Sequence, residues 1–112
     1  MAELVVDVIT RAGISPNYND ADVAGDTFMN DAERRTFLAV KNNSVATVTA
    51  TIATPATLDG LQVADRAVAI GAGAEVFIGA YPPNVYNQAN GTISVTYSAV
   101  TDVQVAALKL PG

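Results

Sequence analysis

The sequence contains no cysteine, no histidine and no tryptophan, and only 15% of its 112 residues are charged. Without cysteine there is neither a disulfide framework nor a thiolate metal site. Without histidine the commonest general base and the commonest transition-metal ligand are both missing, so no enzyme is expected, and no cofactor or metal. Positive charge is scarce as well: 6 basic residues face 11 acidic ones, giving a net charge of -5 and a pI near 4.3. A phosphate backbone or an anionic lipid surface repels such a chain, so neither nucleic acid nor a membrane is expected as a partner. Long apolar runs are lacking too, and none approaches the length of a membrane span. Glu3 and Asp7 interrupt the apolar residues at the N-terminus and no basic region precedes them. That is unlike a signal peptide and points to synthesis in the cytoplasm.

What the chain does have is β-forming sequence. The stretch Thr36 to Ile52 holds two apolar and β-branched runs around Asn42-Asn43-Ser44. In the second run Val45, Thr47, Thr49 and Thr51 share one parity, while Ala46, Val48, Ala50 and Ile52 share the other, the period of a strand with one buried side. Phe37-Leu38-Ala39-Val40 is apolar on both parities and reads as a central strand covered on both faces. Because asparagine tolerates positive φ, the two runs are expected to form a hairpin.

In chain order, Leu4 to Ile9 reads as a first strand near a sheet edge, with Asp7 able to reach water. Asn17 to Glu33 holds five of the eleven acidic residues and few apolar anchors, among them Phe28 and Met29, and is expected to be irregular. The segment Thr54 to Val63, with Pro55 and Asp59-Gly60, reads as a crossing between sheets. Arg66 to Ile70 and Glu75 to Gly79 read as strands around Gly71-Ala72-Gly73. Thr92 to Ser98 and Thr101 to Leu110 read as a second hairpin turned at Ser98-Ala99-Val100-Thr101, with one long bent strand as the alternative. About seven short strands, with turn signals roughly every ten residues, give an all-β fold. The expected architecture is an antiparallel β-sandwich of immunoglobulin-like topology, with a jelly roll or small open barrel as the alternative. Residues 1–34 form an N-terminal strand and acidic loop or arm and residues 35–112 the sandwich body, in a single domain overall. The expected core is Leu38, Val40, Val48, Ile52, Val68, Ile70, Val76, Ile78, Ile93, Val95 and Val103.

Two patterns suggest chemistry, and each has a plainer reading. Asp20, Asp22 and Gly25, with Asp31 eleven residues after Asp20, resemble part of a calcium loop. Ala24 stands where an oxygen ligand is required and Asp31 where a glutamate belongs, so a solvated acidic loop is favoured. Gly71-Ala72-Gly73 lacks the third glycine, the helix and the lysine of a phosphate cradle and reads as a turn. Tyr81, Pro82, Pro83 and Tyr86 read as a rigid loop that packs on its own sandwich or on a neighbour. Leu4, Val6, Leu108 and Leu110, in terminal apolar segments, join them as candidate contact residues, together with Tyr18, Phe28 and Met29 in the acidic third. No residue is a catalytic candidate.

Four segments carry a resemblance: Gly25-Asp26-Thr27-Phe28-Met29-Asn30-Asp31, Arg35 to Asn42, Thr54 to Leu61, and Gly91 to Leu110 with Val95-Thr96-Tyr97-Ser98. From about Gly25 onward the chain resembles small β-sandwich proteins encoded among the virion structural genes of tailed bacteriophages. The resemblance implies a structural protein of the virion head, a capsid decoration or cement protein. Its partner would be the major capsid protein, on whose shell it would sit as a homo-oligomer. A module on tail or head that recognises a host receptor or glycan through the tyrosine and proline loop is the alternative.

Overall fold

A computed structural model describes residues 2–79 and 81–111. The strands are β1 (Ala2–Glu3), β2 (Val6–Val8), β3 (Asn19–Asp20), β4 (Asp26–Met29), β5 (Thr36–Asn42), β6 (Val48–Ile52), β7 (Thr57–Leu58), β8 (Leu61–Gln62), β9 (Arg66–Ile70), β10 (Glu75–Ile78), β11 (Thr92–Tyr97) and β12 (Val103–Lys109). One turn of helix, α1 (Pro83–Tyr86), lies between β10 and β11. The first sheet runs β1-β4-β11-β6-β9 and the second β10-β5-β12-β2, with β3 also on β12. Every pairing is antiparallel except β1 with β4 and β2 with β12. The chain is therefore an all-β sandwich.

The strand order identifies which sandwich. With β1, β2 and the β7–β8 hairpin set aside, eight strands remain, and numbered in chain order they lie 2-7-4-5 in one sheet and 1-8-3-6 in the other. This is the double Greek key of a jelly roll. An immunoglobulin-like sandwich keeps its last two strands side by side in one sheet, whereas here β11 and β12 lie in different sheets. The topology is thus the jelly-roll alternative.

The same order corrects both expected hairpins. The connections β5–β6 and β11–β12, and with them the short β9–β10 link around Gly71-Ala72-Gly73, all cross from one sheet to the other, while the long connection β6–β9 returns to the same sheet. A chain reversal needs the same turn residues in either case. The difference is whether the next strand pairs at about 4.8 Å or faces its predecessor across a core about 10 Å thick. Thr54 to Val63, expected to cross, instead contains the β7–β8 hairpin, closed by Asp59 (φ 52) and Gly60 (φ 77). Two consecutive positive φ values are what an Asp-Gly hairpin turn provides.

Asn42 shows how a crossing is built. It is fully buried at the end of β5. Its Nδ2 donates to the carbonyls of Ala46 (2.8 Å), Ile70 (3.0 Å) and Gly71 (3.2 Å), and its Oδ1 accepts from Ser44 N (3.0 Å) and Ser44 Oγ (2.6 Å). Its backbone accepts from Gly73 N and donates to Ala74 O. One amide therefore ties the β5–β6 corner to the β9–β10 corner, adding a donor to a carbonyl on each side.

Between the sheets lie Phe28, Leu38, Val40, Val48, Ile52, Ile70, Ile93, Val95, Val103 and Val105, each at most 1% exposed. Val76 and Ile78, expected in the core, pack against it, and Val68 lies opposite the buried Ala50, but all three are only half-buried, because β9 and β10 are the free edges on that side. Asn17 to Glu33, expected to be irregular, supplies β3 and β4. Phe28 anchors β4, and the polar residues before it are consumed in a turn in which Ala24 N donates to Asp22 Oδ1 (2.9 Å) and Gly25 adopts φ 95. β1 to β4, all within residues 1–34, are strands of the two sheets.

Candidate interaction surface

Alternation along the second sheet sends Leu38, Val40, Val76, Val103 and Val105 inward and leaves Phe37, Ala39, Phe77, Ala106 and Leu108 on the outer face. An outer face this apolar is unusual for an antiparallel sheet, whose second side normally meets water. The chain covers part of it. The stretch after β2 crosses the face, with Ile9 and Tyr18 packed on Ala39, Ala106 and Leu108. This strap is held by Asn17 N donating to Asp7 Oδ2 (3.2 Å) and by Tyr18 Oη donating to Glu75 on the far edge strand. Lys41 Nζ lies 5.6 Å from the centre of the Tyr18 ring. Burial, with the Glu75 carboxylate beside it, pushes the Tyr18 phenol up to about 12.

The strap meets β10 only at Glu75 and leaves Phe77 uncovered. Phe77 is 64% exposed and meets Phe37 edge-on, with ring centres 5.8 Å apart. Ile9, Ile14, Pro16 and Leu108 line an apolar groove on one side of this pair. Arg34, Arg35 and Leu110 line the other. Exposed aromatic surface rimmed by guanidinium groups is the composition of a protein contact. Gly79 shapes the rim: a Cβ there would lie 2.7 Å from Phe37 Cβ and 3.0 Å from Phe37 Cα.

The contact residues expected from sequence divide into two groups. Leu4, Phe28, Tyr81 and Leu108 are buried, at 5%, 0%, 2% and 4% exposure, and are spent within the subunit. Tyr81 packs between Phe28 (5.7 Å) and Tyr86 (5.5 Å), its Oη donating to Ile78 O, so the tyrosine and proline loop docks on its own sandwich. Pro82, Pro83, Tyr86, Val6 and Tyr18 are half-buried, and only Met29 and Leu110 are well exposed. Of the whole set, Leu108 and Leu110 adjoin the Phe77 patch and Tyr18 holds the strap beside it. Sequence reasoning missed Phe37 and Phe77, and the parity they share with Ala39, Ala106 and Leu108 was the signal that could have found them.

The acidic residues of the calcium-like pattern lie apart in the fold. Asp31 binds Arg35 through Nε (2.5 Å) and Nη2 (3.2 Å) and lies 3.8 Å from Lys109, far in the fold from the turn that holds Asp22. The Arg35 hydrogen bonds hold the Asp31 carboxyl down at about 2. Among the described residues no three acidic groups converge. Asp26 instead points into the sandwich, fully buried, its Oδ2 accepting from Tyr97 Oη (2.7 Å) while its Oδ1 has no hydrogen-bond partner. Burial pushes both the Asp26 carboxyl and the Tyr97 phenol up. Compared with family models, with curated proteins and with solved structures, the chain has no match in any of the three.

Proposed function

We propose that the protein is a structural component of a tailed-bacteriophage virion, a decoration or cement protein made in the host cytoplasm that stabilises the head by binding the major capsid protein. The observation that carries this reading is the outer face of the second sheet, where Phe77 and Phe37 remain available after the strap has covered Ala39, Ala106 and Leu108. Three further features support it. The segments that resemble phage virion proteins become β4, β5, the β7–β8 region, β11 and β12. The jelly roll is an architecture used in viral capsids. The role asks only for a stable subunit with a sticky face, since a partner that binds one state of a shell stabilises that state by mass action. The alternative, a receptor or glycan module using the tyrosine and proline loop, is less favoured because Tyr81 is spent on the core.

The test uses particles of the encoding phage that lack this protein. Added wild-type protein is expected to bind them and to raise the temperature at which they release their genome. Burying one phenylalanine is worth about 1.5–3 kcal/mol, so Phe77→Glu is expected to weaken binding at least tenfold, roughly 1.4 kcal/mol, while folding normally. Unchanged binding by the variant would move the contact to another face. Unchanged particle survival combined with lost adsorption to cells would favour the recognition module.

A further inference from the structure

Proteins guard the free edges of their sheets with charge, proline, bulges, a covering segment or very short strands. Three of the edges here follow that rule. β1 is two residues long and β2 three, and β10 begins with Glu75, which the strap reaches through Tyr18. β9 does not. It reads Arg66-Ala67-Val68-Ala69-Ile70, without proline or lysine, and pairs with β6 alone in an unbroken five-residue register from Ile52↔Arg66 to Val48↔Ile70. Its outward side chains are the exposed Ala67 and Ala69, flanked by Thr51 and Thr49, so nothing bulky hinders an approaching strand. Its inward residue Val68 is half-buried and lines a slot with Ile78 and Tyr86.

The geometry points to a second copy of this chain as the occupant, its own β9 pairing antiparallel across a two-fold axis at Val68 to make one continuous ten-stranded sheet. The pattern of side chains fits a second copy in this orientation. About that axis Arg66 faces Ile70 and Ala67 faces Ala69, so no like charges meet. Pairing in parallel register would set Arg66 directly beside Arg66, which is unfavourable. Antiparallel closure is isologous and uses up both edges, leaving none to propagate into fibres. The slot beside β9, lined by Arg66, Val68, Ile78 and Tyr86, adds side-chain contact beyond the backbone hydrogen bonds. This inference does not depend on the proposed virion role.

Sedimentation velocity across the micromolar range tests it. Wild-type protein is expected to sediment as a dimer of twice the 11.5 kDa chain. Ala67→Lys/Ala69→Lys, at two exposed positions, places lysine opposite lysine twice and is expected to give monomer with an unchanged circular dichroism spectrum. Ala67→Lys/Ala69→Glu, with similar bulk at the same sites, places each lysine opposite a glutamate and is expected to restore the dimer. A monomeric wild type would overturn the proposal, whether the edge stays free or waits for another protein. So would a dimeric double-lysine variant, or a charge-paired variant that remains monomeric.

Discussion

Replacing Asn42 by alanine removes five side-chain hydrogen bonds from a residue with no exposure. The carbonyl of Ile70 is left buried without its side-chain donor, and those of Ala46 and Gly71 lose theirs in partly buried positions. Ala46 O keeps the Ser44 hydroxyl and Gly71 O keeps the Ala74 N–H, so the cost falls mainly at Ile70, and a buried polar group that loses a partner costs about 1–3 kcal/mol. Against a typical domain stability of about 5–15 kcal/mol this is a large fraction. Equilibrium urea unfolding is the assay, with the denaturant slope checked for constancy so that the change reads as stability. Asn42→Asp separates hydrogen bonding from volume. At neutral pH it sets a buried carboxylate against three carbonyl oxygens and is expected to cost more than the alanine. As the pH falls through the carboxylate range, protonation supplies one donor and the excess cost shrinks. If Asn42→Ala stays within about 0.5 kcal/mol of wild type, as surface substitutions do, Asn42 does not tie the two corners together.

Val48 is 1% exposed in β6 whereas its neighbour Thr49 is half-buried on the outer side, so Val48→Ala is expected to cost about 1–3 kcal/mol and Thr49→Ala less, measured by the same unfolding. Gly79→Ala forces a Cβ to within 3.0 Å of the Phe37 backbone; β10 must shift from β5, at a cost of about 1–3 kcal/mol visible as a lower Tm. Asp31 is held from 3.8 down to about 2, so its contribution is present above its unfolded value and lost as pH falls toward 2. Asp31→Asn should therefore lose stability at neutral pH and converge with wild type near pH 2. Asp26 has the opposite sign: its raised carboxyl favours the folded state below 3.8, and that advantage fades as pH rises through the folded value. Asp26→Asn, which can still accept from Tyr97, should gain on wild type as the pH goes from acid to neutral in a series of thermal melts.

Strand positions were legible in this sequence and strand partners were not. The alternation in Val48 to Ile52 and Thr92 to Tyr97 reports which side chains are buried, and both segments are strands with that facing. Alternation cannot report whether the next strand lies beside its predecessor or across the core, because inward residues are apolar in both arrangements. Asn42-Asn43-Ser44 reads as a turn either way, and only the hydrogen bonds of its side chain to Ala46, Ile70 and Gly71 make it a corner. The acidic third misled for a related reason. Composition averages over Asn17 to Glu33, while the fold depends on Phe28 and Ala21 entering the core and on Asp26 finding Tyr97, far along the sequence. Of the interaction surface, the apolar parity of Phe37 and Ala39 is visible in the sequence and reads as a strand covered on both faces. That is half right, since the strap covers part of it.

The proposed role is that of a shell protein whose aromatic face binds a repeated lattice. The most direct measurement is a mass-spectrometric census of purified particles of the encoding phage. A cement protein should approach the abundance of the major capsid protein, because each lattice position offers the same site. A few copies per particle would place the protein on the tail or at a single vertex, and its absence from the particles would remove it from the virion altogether; either result contradicts the account.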